Sequence, residues 1–279
     1  MTSNTSNTSN TGNIGNSPVA GSGDPGGGWT FADRASLPFV DDPYIEPAPV
    51  APTAGGFSDR EWSPVWSAWR FLGEFLKLPW DTEIAISAPD LGNTVKEIGL
   101  LQEMARFERA DALGEILAQQ NEFISYFMAI MGATTVGHPN TYRLAHFANL
   151  VGTFMAMHFK SKHLRERPSM LAPSLLPPTQ VPGHPAYPSG HATQAHLIAK
   201  CFQLLLPISH RPVKERTLIG LALRIARNRE IAGLHYPSDT QAGIDLANQT
   251  FVKMEEDRAL TNPRMPLYKQ LIVDAQAEF

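Results

Sequence analysis

Hydrophobic positions from about residue 94 onward recur at spacings of three and four, the pattern of helices that bury one face. Val95, Ile98 and Leu101 begin this pattern, and it persists along the chain. Further helices are predicted near residues 121–132, 142–166, 191–206, 213–232 and 239–258. No convincing run of alternating apolar and polar positions predicts a strand. The pattern therefore predicts an all-α fold, a helical bundle around one core.

Three parts of the chain differ in composition. Residues 1–28 are mostly Ser, Thr, Asn and Gly, which leaves little to bury, so a disordered leader is expected. Residues 29–90 are Pro-rich and irregular, with a short helix predicted over 62–76. The tryptophans of the chain are Trp29, Trp62, Trp66, Trp69 and Trp80. Aromatic side chains at this density are expected to pack on the helical body formed by residues 91–279.

Charge and composition narrow the possible partners and compartments. The formal net charge of -4 and the pI near 6.1 give no general attraction to nucleic acid. The first residues lack the positive and apolar regions of a secretory signal, and no segment is apolar enough to predict a transmembrane helix. A soluble protein, cytoplasmic or otherwise, is therefore expected. The single cysteine, Cys201, excludes an intramolecular disulfide and a thiolate metal cage, and its apolar neighbours predict a core position.

The first of three segments with candidate chemistry runs from Lys160 to Pro168. Seven residues at about 100° each return to nearly the same helical face, so Lys160 and Arg167 are expected to point the same way. Because Pro168 disfavours helix at the preceding residue, Arg167 is expected where the helix ends. A basic helix terminus that only complements the helix dipole is the alternative.

The second segment, HPAYPSGHAT, begins at His184 and precedes an apolar helix. Pro and Gly predict a tight turn, and the backbone N–H groups at the following helix start suit an anion. Ser189 adds a hydroxyl donor beside Gly190, and His191 is placed in the first turn, where it can pass a proton to a bound oxyanion. A structural turn is one alternative; a serine nucleophile is the other, but the G-x-S-x-G elbow is absent.

The third segment runs from Arg229 to Asp239. Gly233 is expected to end one helix, and Ser238 is expected to cap the next. An Asp four residues beyond His235 can accept from one ring nitrogen and leave the other free as a nucleophile. A surface histidine beside a capping Asp is the alternative.

Taken together, the segments supply a complete set of groups for phosphoryl transfer. Three cations, Lys160, Arg167 and Arg229, can offset the charge of a phosphate dianion and of its transition state. His235 is the candidate nucleophile and His191 the candidate general acid on the opposite side. No metal ion is required for this chemistry.

The three segments resemble the signature of the type 2 phosphatidic acid phosphatase and vanadium haloperoxidase superfamily, Lys-x6-Arg-Pro, Pro-Ser-Gly-His and Arg-x5-His-x3-Asp. The resemblance spans roughly residues 140–250 and implies a helical bundle with the site between helices. It implies that His191 is the acid/base, that His235 bonds to phosphorus or vanadium, and that Asp239 orients it. The residues that it implies for holding the oxyanion are Lys160, Arg167, Ser189, Gly190 and Arg229.

Two details separate the branches of that superfamily. Asn228 stands where the phosphatases usually have Ser. The segment HPAYPSGHAT is more similar to the haloperoxidases, in which Phe or His stands at the position of His184, close to vanadate. The segment GLHYPSD is more similar to the phosphatases.

Three functions remain open from the sequence. The first is a phosphatase that forms a phosphohistidine intermediate and needs no cofactor. The second is a haloperoxidase that uses vanadate, peroxide and halide at the same site. The third is a non-catalytic protein that binds the anion. The substrate is expected to be a small phosphorylated or lipid-like molecule held by walls from residues 29–130, and the sequence does not predict the oligomeric state.

Other basic residues and histidines receive simpler interpretations. Four basic side chains are expected to be solvated: Lys162, Arg165, Arg224 and Arg227. His158 and His163 are expected at polar or packing positions. His184, His191 and His196 are spaced by seven and five residues, which does not form a compact ligand set on one helical face.

Overall fold

Helices make up the regular secondary structure of the protein in a computed structural model that describes residues 62–207 and 211–279. No strand occurs in these two ranges, so the predicted all-α class is confirmed there. The leader predicted for 1–28, Trp29 and the part of the irregular segment up to residue 61 lie outside the described residues. Within the same ranges, no helix is both long enough and apolar enough to span a bilayer.

The α-helices follow one another along the chain, with a long connection between α7 and α8. They are α1 (Pro64–Phe75), α2 (Trp80–Glu83), α3 (Thr94–Phe107), α4 (Arg109–Gln119), α5 (Ile124–Met131), α6 (Pro139–His163), α7 (Pro168–Leu171), α8 (Gly190–Gln203), α9 (Arg211–Ile231), α10 (Pro237–Arg258) and α11 (Pro266–Gln276). Two 3₁₀ turns, Leu91–Asn93 and Pro173–Leu175, lie between them. The hydrophobic periodicity predicts most of these helices, but it missed α11, which buries Tyr268, Leu271, Ile272 and Ala275.

The segment before residue 90 packs only in part as expected. Helix α1 forms where a short helix is predicted, and Phe75 on its inner face is fully buried. Trp80 makes an edge-to-face contact with Phe154 of α6, with ring centroids 4.9 Å apart. Trp66 and Trp69, however, are 62% and 46% exposed, so the prediction that these two rings pack on the body is wrong. They lie on the outer face of α1, away from α6.

Helix α8 is the central element, because it packs against α6, α9 and α10. Nearly all of its residues are buried, including Cys201, as its apolar surroundings predict. Two glycines allow α6 and α10 to approach α8 closely. A Cβ on Gly152 of α6 would lie 2.9 Å from the Cα of Gln194, and one on Gly243 of α10 would lie 2.7 Å from the carbonyl oxygen of Ser189. The beginning of α8 is therefore held directly between α6 and α10.

Two buried histidines in this core make the stability of the fold depend on pH. Burial lowers the pKa of His146 on α6 and of His196 on α8 from 6.5 to about 4. Because the unfolded chain binds protons at a higher pH than the folded chain does, the stabilisation is complete above pH 6.5 and is lost as the pH falls towards 4. Between pH 7 and pH 5 the free energy of unfolding should fall by about 2 kcal/mol for each histidine.

Urea denaturation of the wild type and of His196→Leu at the two pH values isolates one of these contributions. The variant should lose about 2 kcal/mol less than the wild type on going from pH 7 to pH 5. An equal loss in the two proteins would show that His196 titrates normally in the folded state.

Candidate active site

Residues from all three motif segments line one cavity, whose empty space including the mouth is about 420 Å3. The motif residues that line it are Lys160, Arg167, His184, Gly190, His191, Arg229 and His235. Ser189 and Asp239 are buried directly behind this lining. The remaining lining residues are Thr153, Ala156, Met157, Pro182, Gln194 and Leu234.

None of the described residues between 62 and 130 lines the cavity, so the prediction that the walls come from residues 29–130 is wrong for that part of the chain. The walls come from α6, from α8 and from the loops before α8 and after α9. Because α6 and α8 approach so closely at Gly152, their own side chains Met157 and Gln194 close the sides of the cavity.

Lys160 and Arg167 converge on the cavity, although not for the reason that the helical spacing suggests. Helix α6 ends at His163, and Leu164 takes a left-handed conformation with a φ of 52°. Arg167 follows in extended backbone, so the two residues do not share a helical face. They meet because the chain turns back at Leu164.

Backbone carbonyls of the connection before α8 hold both cations in place. The Lys160 Nζ donates to the carbonyls of Pro185 and Ala186 at 2.7 and 2.8 Å. The Arg167 Nε donates to the carbonyl of His184 at 3.0 Å, and its Nη2 lies 3.0 Å from His184 Nδ1. These bonds fix the two charges before any substrate binds.

The second motif forms the predicted turn and helix start. Ser189 is the N-cap of α8, and its Oγ accepts from the N–H of Ala192 at 3.4 Å. The N–H of Ser189 donates to the carbonyl of Asp239 at 2.9 Å, which ties this turn to α10. Gly190 and His191 lie in the first turn of α8 and line the cavity. The positive end of the helix therefore faces an anion bound there.

The third motif contains a glycine-terminated helix. Gly233 has a φ of 74°, which favours glycine, and the N–H of the next residue, Leu234, donates to the carbonyl of Arg229 at 3.0 Å. Arg229 is therefore in the last turn of α9, and His235 lies in the connection to α10. The N-cap of α10 is Tyr236 and not Ser238 as predicted, since Pro237 already takes the first helical position.

Arg229 lines the cavity and has unused hydrogen-bonding capacity. The side chain is 1% exposed, and its Nη2 donates to the carbonyl of Ile116 at 2.8 Å. Its Nε and Nη1 have no partner among the described residues. Burial lowers the pKa of Arg229 to about 10, which still leaves the group charged at neutral pH. A buried guanidinium with unused donors is expensive unless an anion completes it.

His235 lines the cavity, and each of its ring nitrogens has a partner. Its Nδ1 lies 3.2 Å from Asp239 Oδ2, and its Nε2 lies 3.0 Å from Arg167 Nη1. Since the carboxylate accepts and the guanidinium donates, the assigned tautomer carries its hydrogen on Nδ1. Burial, and then the charges of Arg167 and Lys160, lower the pKa of His235 well below 6.5. The imidazole is therefore neutral, with a lone pair on Nε2.

His191 has the opposite requirement, because an acid must carry a proton. Burial, and then the charge of Arg229, lower its pKa well below 6.5, whereas the carbonyl of Gln119, 3.2 Å from Nε2, raises it. An anion bound between the cations opposes their charge and raises the pKa of His191 further. Anion binding and protonation of His191 therefore favour each other.

Burial also affects the other two cations. It lowers the pKa of Arg167 to about 10, and together with the charge of Arg167 it lowers the pKa of Lys160. Each cation has given up most of its hydration, and an oxyanion bound among them replaces the lost water contacts. The arrangement is thus suited to a compact, multiply charged anion.

Sequence reasoning missed three groups near the cavity. Arg165, predicted to be solvated, is only 5% exposed and binds Asp239 Oδ1 at 2.7 Å. Glu97 of α3 accepts from Arg165, and Gln119 offers its backbone carbonyl to His191. Asn228 is buried and donates to the Gln119 side chain at 2.8 Å, so it helps to place that carbonyl.

The predictions for Lys162, Arg224, Arg227 and His158 agree with the structure. Lys162, Arg224 and Arg227 are exposed. His158 packs edge to face against Trp80 and Phe159. Among the described residues, no group of three His, Cys, Asp or Glu side chains is placed to hold a metal ion.

No protein-family model matches this chain, and no curated protein is significantly similar to it.

Proposed function

We propose that this chain is a metal-independent phosphatase that hydrolyses a phosphate ester through a phosphohistidine at His235. The observation that supports the proposal is the buried Arg229, which lines the same cavity as Lys160 and Arg167 and has two side-chain nitrogens without a partner among the described residues. Three fixed cations match a phosphomonoester dianion and the charge that develops on its equatorial oxygens.

The first half of the proposed reaction forms the phosphoenzyme. The lone pair of His235 Nε2 attacks phosphorus as Arg167 transfers its hydrogen bond from Nε2 to a phosphate oxygen. The bond from phosphorus to the ester oxygen breaks, and that oxygen takes a proton from His191. Asp239 keeps the Nδ1–H of His235 and stabilises the positive charge on the phosphorylated ring.

The second half regenerates the enzyme. His191, now neutral, takes a proton from water as the water oxygen bonds to phosphorus and the N–P bond breaks. Its electron pair returns to His235 Nε2, and inorganic phosphate leaves. The three cations hold the phosphoryl oxygens in both halves, and the positive end of α8 adds to the charge stabilisation.

The leaving group is proposed to lie against the less polar side of the cavity. Met157, Pro182 and Leu234 supply apolar surface there, and Thr153 and Gln194 bond to each other at 2.7 Å. This lining suits the small phosphorylated or lipid-like substrates that are expected from the sequence.

The proposal is tested by phosphate release from p-nitrophenyl phosphate and from a short-chain lipid phosphate. Release is expected to be unaffected by chelators and to be inhibited by vanadate, which mimics the five-coordinate transition state. If neither substrate is hydrolysed, or if a chelator abolishes the activity, the phosphatase proposal is wrong.

His191→Asn tests the role of the acid. p-Nitrophenolate leaves without needing a proton, whereas an alkoxide does need one. The variant should therefore lose about 10²–10⁴-fold in kcat/KM, which reports formation of the phosphoenzyme, with an alkyl phosphate and much less with p-nitrophenyl phosphate. Equal losses with the two substrates would indicate that His191 does not protonate the leaving group.

A specific observation favours a second candidate, the vanadium-dependent haloperoxidase. His184 lines the cavity and lies 3.0 Å from Arg167, on the oxyanion-binding side. The residues that would hold vanadate are the same cations together with His235 Nε2, and bound vanadate would supply peroxide activation. Halogenation of monochlorodimedone by the vanadate-loaded protein, with bromide or chloride, would support this function; its absence with both halides would rule it out.

A further inference from the structure

A buried cluster of charges lies behind His235, outside the cavity. Arg165 Nη1 donates to Asp239 Oδ1 and to Ser238 Oγ, each at 2.7 Å, and its Nη2 donates to Glu97 Oε2 at 2.8 Å. Glu97 in turn accepts from the N–H of Ser238 at 2.7 Å. The side chains of Arg165 and Asp239 are 2% and 0% exposed.

This cluster is not explained by stability alone. Buried ion pairs are often no more stabilising than well-packed apolar side chains of similar volume, because both charges lose their hydration. Arg165 also lies 3.7 Å over the ring of Tyr236, in a site that an apolar side chain could fill. It is not among the residues that line the cavity, so it does not itself hold a phosphate.

We propose that Arg165 is a positioning residue, which keeps Asp239 ionised and turned so that its second oxygen holds the Nδ1–H of His235, with Glu97 fixing Arg165. This inference rests on the proposed nucleophilic role of His235. The two carboxylate oxygens of Asp239 have different partners, which supports this role. Oδ1 accepts from Arg165, whereas Oδ2 accepts from His235 and, at 3.0 Å, from the N–H of Tyr236.

The charge of Asp239 matters because a protonated carboxyl is a weaker acceptor for the His235 Nδ1–H. Burial raises the pKa of Asp239, and the charge of Arg165 is the largest effect that lowers it. The charged and titratable groups that face Asp239 from the surrounding elements are Lys160, Arg165, Arg167, Glu97, Glu230, His235, Tyr187 and Tyr236. Lys160 supports the carboxylate as well, but Arg165 alone among these cations bonds to it directly.

Helix α3 thereby becomes part of the site. Glu97 lies 68 residues before Arg165, outside the range over which the sequence resembles the superfamily. Its two oxygens hold Arg165 and the first turn of α10 at the same time. A displacement of α3 would therefore reach His235 through Arg165 and Asp239.

The test is ¹⁵N NMR of the His235 ring in the full-length protein, with Arg165→Met compared with the wild type. The wild type should show the hydrogen on Nδ1, and the variant should lose that preference. Its kcat for p-nitrophenyl phosphate should fall about 10–100-fold, while its affinity for inorganic phosphate stays close to that of the wild type. If Arg165→Met does not fold, Arg165→Gln can be measured in the same way. This variant removes the positive charge but keeps a donor for Asp239.

Two further variants separate positioning from a general loss of structure. Arg165→Lys keeps the charge and should restore the Nδ1–H tautomer and most of kcat. In Arg165→Met the acidic limb of the pH–rate profile should move to higher pH, since the cation that lowers the Asp239 pKa is gone. In Glu97→Gln the acidic limb of the pH–rate profile should stay in place or move to lower pH, because a negative charge near Asp239 is removed.

The outcomes distinguish this inference from the phosphatase proposal. If the wild type hydrolyses no phosphate ester, but Arg165→Met still loses the Nδ1–H tautomer of His235, the phosphatase proposal is overturned and the positioning role of Arg165 is retained. An active enzyme in which both neutral variants keep the tautomer and the kcat would overturn the positioning role.

Discussion

Replacing His235 by alanine is expected to reduce phosphate release from p-nitrophenyl phosphate by roughly 10⁴-fold or more. His235 Nε2 supplies the electron pair that bonds to phosphorus, and no other neutral nitrogen of the motif residues is held by a carboxylate in the same way. Because Lys160, Arg167 and Arg229 remain, the variant should still bind phosphate. The measurements are steady-state kinetics and the rise in melting temperature on addition of phosphate.

A matched control uses another partly buried histidine of the bundle. His158→Gln changes a ring that packs against Trp80 and does not line the cavity, so its kcat should stay close to that of the wild type. Undiminished activity in His235→Ala would remove His235 from the reaction.

Arg229→Met is expected to reduce kcat/KM by about 10²–10³-fold and to leave the protein without phosphate as stable as the wild type, or more stable. The wild-type guanidinium is buried with two nitrogens that lack partners, a cost that methionine avoids while filling similar space. The stabilisation that phosphate gives to the wild type should largely disappear. Activity and stability are therefore expected to change in opposite directions at this residue.

Arg227→Met is the matched control on the same helix. Its side chain is 44% exposed and pairs with Glu108 at the surface, where such a pair contributes little, and with Glu230, whose side chain is 7% exposed. It should leave both kinetics and the response to phosphate unchanged. If phosphate raised the melting temperature of Arg229→Met as much as that of the wild type, Arg229 would not be an anion ligand.

Most site residues could be placed from the sequence because they lie beside helix ends, and short sequence signals mark where those helices begin and end. Gly233 ends α9 through its positive φ, and Ser189 caps α8, so the chain near Arg229 and His191 follows rules of a few residues. The i, i+4 spacing of His235 and Asp239 also predicts their contact correctly.

The residues that were missed depend on contacts between distant segments. Arg165 lies in a run of alternating charges, and once Leu164 ends the helix, helical periodicity no longer indicates which side chain points inward. Its partners Glu97 and Asp239 lie 68 and 74 residues away. The Gln119 carbonyl that faces His191 is a backbone group, for which the side-chain pattern carries no signal. Burial of such groups is decided by packing of the whole bundle.

A crystal structure of the protein with bound orthovanadate would show whether the three motif segments form one oxyanion site, because vanadate mimics the transferred phosphoryl group. We expect vanadium bonded to His235 Nε2, with its oxygens bound by Lys160, Arg167 and Arg229 and with His191 on the opposite side. Vanadate bound elsewhere, or bound with Arg229 turned away from it, would show that these residues do not form the phosphoryl-transfer site.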